Sequence, residues 1–115
     1  MPLILTGRAD EQSSVGMKIV IVDGNGDALT PTAATWTLTD LSGTVINSRE
    51  DVAIAALASE MTVLMTGNDL QILDQSKQLE MRLFTFEGTY DPGDASPAPI
   101  KESGEFPVYN LTVVT

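Results

Sequence analysis

The sequence predicts an all-β fold, an antiparallel two-sheet sandwich of about seven strands. Three observations predict it. Short runs with the two-residue alternation of strands recur along the chain; clusters of Gly, Asp, Asn and Pro separate them about every 10 to 20 residues; and no stretch carries a sustained helical period. The length of 115 residues fits one domain spanning 1–115, and 43% hydrophobic residues suffice for one core.

Gly16 to Val22 (GMKIVIV) is rich in β-branched residues and ends at Asp23 to Asp27 (DGNGD), where glycines permit the positive φ of a tight turn. Ala34, Trp36 and Leu38 alternate with Thr35, Thr37 and Thr39, which places the large groups on one face and the hydroxyls on the other. Trp36, the single tryptophan, reads as a core anchor. Asp40 to Gly43 is the next turn, and Thr44 to Asn47 (TVIN) resumes an extended run.

Val52 to Ser59 (VAIAALAS) fits either a helix or a loop with a brief strand. Glu60 to Thr66 (EMTVLMT) reads as a strand ended by Gly67. A short helical turn is expected near 68–73, capped by Asn68 and tucking Leu70 and Leu73 under the core. Gln78 to Tyr90 (QLEMRLFTFEGTY) is the longest strand candidate, and its apolar positions change phase between Leu79-Met81-Leu83 and Phe84-Phe86, which implies a β-bulge or a central strand covered on both faces along part of its length. Asp91 to Glu102, with its prolines, reads as an irregular loop, and Glu105 to Thr115 as the last strand, with Pro107 marking an edge or a strand start.

Composition excludes several functions. Without cysteine or histidine there is no disulfide, thiolate zinc site or Ser-His-Asp triad, and no phosphate-binding glycine loop is present. An enzyme is therefore not expected. Sixteen acids against six bases, a net charge of −10, are the wrong sign for nucleic acid or anionic lipid. No run is long enough for a membrane span, and the start lacks the basic region of a signal peptide.

If 16–22, 34–40, 44–47, 60–66, 79–90 and 105–114 are strands B, C, C′, E, F and G of an immunoglobulin-like sandwich, the loops 23–33, 48–59 and 91–104 share one tip. That tip gathers Asp23, Asp27, Glu50, Asp51, Asp91, Asp94 and Glu102 against Arg49 and Lys101. Such a tip suits a basic partner surface or a divalent cation, or merely keeps the domain soluble. Asp23, Asn25 and Asp27 match the first oxygen donors of a calcium loop, to which Asp91 and Asp94 add a second loop. The match stops there. Ala28 replaces the turn glycine and Ala34 the closing glutamate, so a hairpin-type turn is the competing reading.

The stretches Val22 to Pro31 (VDGNGDALTP), Thr35 to Asp40 (TWTLTD), Ser42 to Asn47 (SGTVIN) and Phe106 to Leu111 (FPVYNL) resemble small immunoglobulin-like proteins of phage and prophage structural modules. The resemblance implies a non-enzymatic virion component of neck, tail or baseplate. Such a protein would reside in the virion, or in the bacterial cytoplasm before assembly. Its partners would be other protein chains of the particle, with homo-oligomeric assembly a corollary. The alternative is a cell-surface or carbohydrate-binding immunoglobulin-like module, assisted by calcium.

Overall fold

The computed structural model describes residues 3–5, 7, 9–10, 12–22, 25–73, 76–91 and 98–110. These residues form eight strands, one 3-10 turn and no α-helix. The strands are β1 (Leu3–Leu5), β2 (Ala9–Asp10), β3 (Ser14–Val20), β4 (Ala33–Thr39), β5 (Val52–Ala53), β6 (Glu60–Thr66), β7 (Leu79–Tyr90) and β8 (Ala98–Tyr109); the 3-10 turn is Gly67–Leu70. The chain is all-β, in two sheets. A three-stranded sheet has the order β1-β3-β6 and a five-stranded sheet the order β2-β8-β7-β4-β5. All described pairings are antiparallel except that of β2 with β8, which is parallel.

One core lies between the sheets. Val15, Met17, Ile19, Met61, Val63 and Met65 face it from the three-stranded sheet, and Trp36, Leu38, Phe84, Phe86, Phe106 and Val108 from the other. An aliphatic, methionine-rich layer thus meets an aromatic one. Trp36 is 5% exposed and stacks on Phe84 with ring centroids 5.5 Å apart, while Thr35, Thr37 and Thr39 face outward as their alternation predicts.

Strand β6 occupies 60–66 and β7 occupies 79–90, as the sequence reading has them. Other expectations are corrected. The register of β7 against β4 and β8 is unbroken, so no bulge exists. The phase change arises because the inner face of β7 begins with a charged residue: Arg82 is 2% exposed and lies in the same alternation as Phe84 and Phe86. Leu79 and Leu83 belong to the outer face.

The expected strand 44–47 is reduced to one bridge between Thr39 and Val45. Asn47, Ser48 and Asp51 adopt left-handed φ of 53°, 57° and 50°, which no strand tolerates. The open segment 52–59 resolves as the two-residue β5 followed by a loop. The expected loop 91–102 gives way to strand from Ala98 onward; residues 92–97, and 111–115 of the expected last strand, lie outside the described residues. Below the core, Leu70 and Ile72 are buried and Leu73 is 57% exposed, so Ile72 fills the place expected of Leu73.

Candidate interaction surface

Edges decide what a small β fold offers to a partner, because their outward main-chain groups lack a neighbour. Hydrogen bonds from Ile21 N–H to the Ser59 carbonyl and from Gly67 N–H to the Ser13 carbonyl fix the phase of the β3–β6 ladder. Odd-numbered residues of β6 therefore bond to β3, and Glu60, Thr62, Leu64 and Thr66 direct N–H and C=O away from it. The Thr66 amide is satisfied by Asp69 Oδ2 at 3.0 Å. Among the described residues, the main-chain groups of Thr62 and Leu64 meet no other strand. Their side chains are exposed too, Leu64 at 62%, and Ile4 on the same outer face at 47%.

Asp69 ends this edge and does so under tension between two effects. Burial of its fully enclosed carboxyl favours the neutral form, but hydrogen bonds from Arg49, Asn47 and the Thr66 amide outweigh it and hold the group below the usual carboxylate range. Arg49 Nε lies 2.7 Å and Asn47 Nδ2 2.8 Å from Oδ1. The same guanidinium sits 5.6 Å from the Trp36 ring centroid, and its own pKa is raised, chiefly by the Asp69 hydrogen bond. Asp69 thus ties the 3-10 turn to loop 47–49, which is left-handed at Asn47 and Ser48. The cap expected of Asn68 is supplied instead by Asp69, three residues after Thr66, a spacing of the capping-box kind.

A second surface surrounds Arg82. A cleft of about 390 Å³ is lined by Asp40, Leu41, Leu73, Lys77, Glu80 and Arg82. Its guanidinium is already committed, donating to the carbonyls of Met81 and Gln71 and to Glu80 Oε1 at 2.9 Å, although Nε finds no partner among the described residues. Glu80 Oε1 also accepts the Leu73 amide. This is a buried strut between β7 and the segment before it.

Among the described residues the expected acidic tip is dispersed. Arg49 carbonyl accepts the Leu38 amide and the Asp51 amide donates to Thr37 Oγ1, which sets Arg49, Glu50 and Asp51 alongside β4. Glu102 and Lys101 lie within β8, opposite Phe86 and Glu87. Of the calcium candidates, Asp23 and Asp94 lie outside the described residues. Asn25 and Asp27 sit on a hairpin-type turn closed by the Val22–Ala28 bridge, with Gly26 at φ 84°, and Asp91 follows β7. Among the described residues no three metal-ligating side chains converge, and no helix is long and apolar enough to cross a membrane.

The sequence reading did not single out Thr62 and Leu64. A usable signal was present, since β6 holds no proline and no charge after Glu60, but its position at an edge depends on which strands are absent beside it. No family model matches the chain, and no curated protein or solved structure shows significant similarity to it.

Proposed function

We propose that this chain is an immunoglobulin-like structural and interaction module, a component of a phage or prophage particle that docks onto other particle proteins through the edge of β6. The open edge carries the proposal: an uninterrupted strand whose Thr62 and Leu64 main-chain groups meet no other strand among the described residues, with Leu64 exposed, is the surface on which strand addition works. The immunoglobulin-like assignment is supported by strand order. The start of the chain is divided between sheets, β1 beside β3 and β2 parallel to β8, while β8, β7 and β4 are neighbours in the second sheet. The particle assignment rests on the resemblance of 22–31, 35–40, 42–47 and 106–111 to phage structural modules.

Mass spectrometry of particles purified after induction of the host tests the reading. The native chain is expected in the particles at stoichiometric level, and Leu64→Lys is expected to be lost from them. Purified particles devoid of the native chain would sink the proposal.

A further inference from the structure

We infer that β6 pairs with the β6 of a second copy of this chain, antiparallel about a two-fold axis at Val63, joining two three-stranded sheets into one. The inference rests on the reading of the β6 edge as the interaction surface and names its occupant. Three observations favour a second copy over an unrelated strand.

The first is self-complementarity. A two-fold contact uses the same patch twice, so each residue must suit its own counterpart. Met61 to Met65 reads M-T-V-L-M, nearly the same in both directions. An axis at Val63 sets Met61 opposite the other copy's Met65 on the core side, and Thr62 opposite its Leu64 on the outer side.

The second is the phase of the open groups. Only even-numbered residues of β6 point outward, so only registers that oppose even to even make bonds. With the axis at Val63, each Thr62–Leu64 pair exchanges both of its main-chain bonds. Moving the axis to Thr62 lays the Glu60 carboxylate against the other copy's Leu64. Moving it to Leu64 sets the Thr66 amide, which Asp69 already occupies, opposite Thr62; with the axis at Val63 that amide lies opposite Glu60 at the outer ends of the pairing, and the central Thr62–Leu64 pairs do not use it.

The third is charge. The whole chain carries −10, which opposes self-association at most surfaces. Strands β1, β3 and β6 contain one cation and one anion, Lys18 and Glu60, joined at 3.0 Å. The strands of the five-stranded sheet hold an excess of acids, among them Glu87, Glu102 and Glu105. The β6 edge is thus a neutral strip on an anionic molecule.

The full chain lacks cysteine, so single thiols report the register without background. Thr62→Cys and Leu64→Cys are purified separately, then oxidised alone and as a mixture. The mixture is expected to yield a mixed disulfide dimer in preference to either homodimer, since directly opposed positions in a bonded antiparallel pair fall within disulfide reach and diagonal ones fall outside it. Sedimentation equilibrium of the native chain is expected to give twice the 12.2 kDa chain mass, and Thr62→Pro and Leu64→Lys are each expected to lose the dimer. Circular dichroism establishes that the variants fold; Leu64→Lys stands as the test if the proline variant does not. A native chain at single-chain mass across a dilution series overturns the inference, as does a dimer that survives both substitutions. If the native chain is monomeric while Leu64→Lys is still lost from particles, the occupant is a different protein and the edge reading stands. If the native chain is absent from particles as well, both fall.

Discussion

The two sheets handle their long edges in opposite ways. The β8 ladder is phased by the bond from Asn110 N–H to the Gln78 carbonyl, so odd-numbered residues of β8 face outward. Pro99 and Pro107 both occupy those positions, where a missing N–H removes nothing from the ladder with β7. Lys101 and Glu105 are also outward in the same phase, and β2 covers the strand's end. Proline, exposed charge and a covering strand are therefore combined on β8. Strand β6 has none of them along Met61 to Met65. The same chain guards one edge and, among the described residues, leaves open the other, the edge to which the proposed docking is assigned.

The sharpest way to probe this difference is to place proline at neighbouring positions of β6. Val63 donates toward β3 and its side chain is buried, so Val63→Pro is expected to cost about 3 kcal/mol or more and to unfold the chain. Thr62 donates outward, so Thr62→Pro is expected to change stability by less than about 1 kcal/mol. Urea denaturation of the two variants checks the phase of the ladder directly; equal losses would show that Thr62 does not face outward.

An effect of comparable size separates the interiors of the sheets. The inner face of the five-stranded sheet contains the Arg82–Glu80 pair, at 2% and 10% side-chain exposure, whereas the facing strands are apolar. Removing one member of so enclosed a pair strands the other, so Arg82→Met is expected to lose about 3–5 kcal/mol. Adding Glu80→Gln to it is expected to recover about 1–2 kcal/mol by neutralising the abandoned carboxylate. In the three-stranded sheet Met17→Leu is expected to cost under about 1.5 kcal/mol. Thermal unfolding of the three proteins makes the comparison.

The smallest effect concerns the end of the open edge. Asp69 has a folded-state pKa below its unfolded value of about 3.9, so its contribution is fully present above that value and is lost as pH falls through the lower folded pKa. Arg49 is 36% exposed and partly screened by water, which limits the contribution. Asp69→Asn is expected to cost about 1–2 kcal/mol near neutral pH and to flatten the loss of stability below about pH 4. Unfolding free energies measured between neutral and acidic pH test this, and an unchanged acid limb in the variant would dissociate Asp69 from it.

Legibility in the sequence followed the strength of local signals. Strands β4, β6 and β7 combine alternation with glycine or proline at their ends, and their positions were readable to within a residue or so. Strands β1, β2 and β5 are two or three residues long, too short for any period to appear. The first half of β8 was hidden by Pro99 and Gly104, because a proline on an edge reads locally like a proline in a loop. Arg82 disguised the inner face of β7, since charge carries no core signal. The open edge of β6 is a property of which strands are neighbours, and that is settled by long-range pairing rather than by any window of residues.

Among the described residues, strand β1 is what leaves the three-stranded sheet with β6 as its one long open side: its three residues cover Met17, Lys18 and Ile19 of β3. Trimmed of Leu3–Leu5, the sheet would have a free flank on each side. Pairing through β6 would then no longer be self-limiting, and copies would add flank to flank into a growing fibre. On the proposed β6 pairing, the three residues of β1 thus set whether association stops at two.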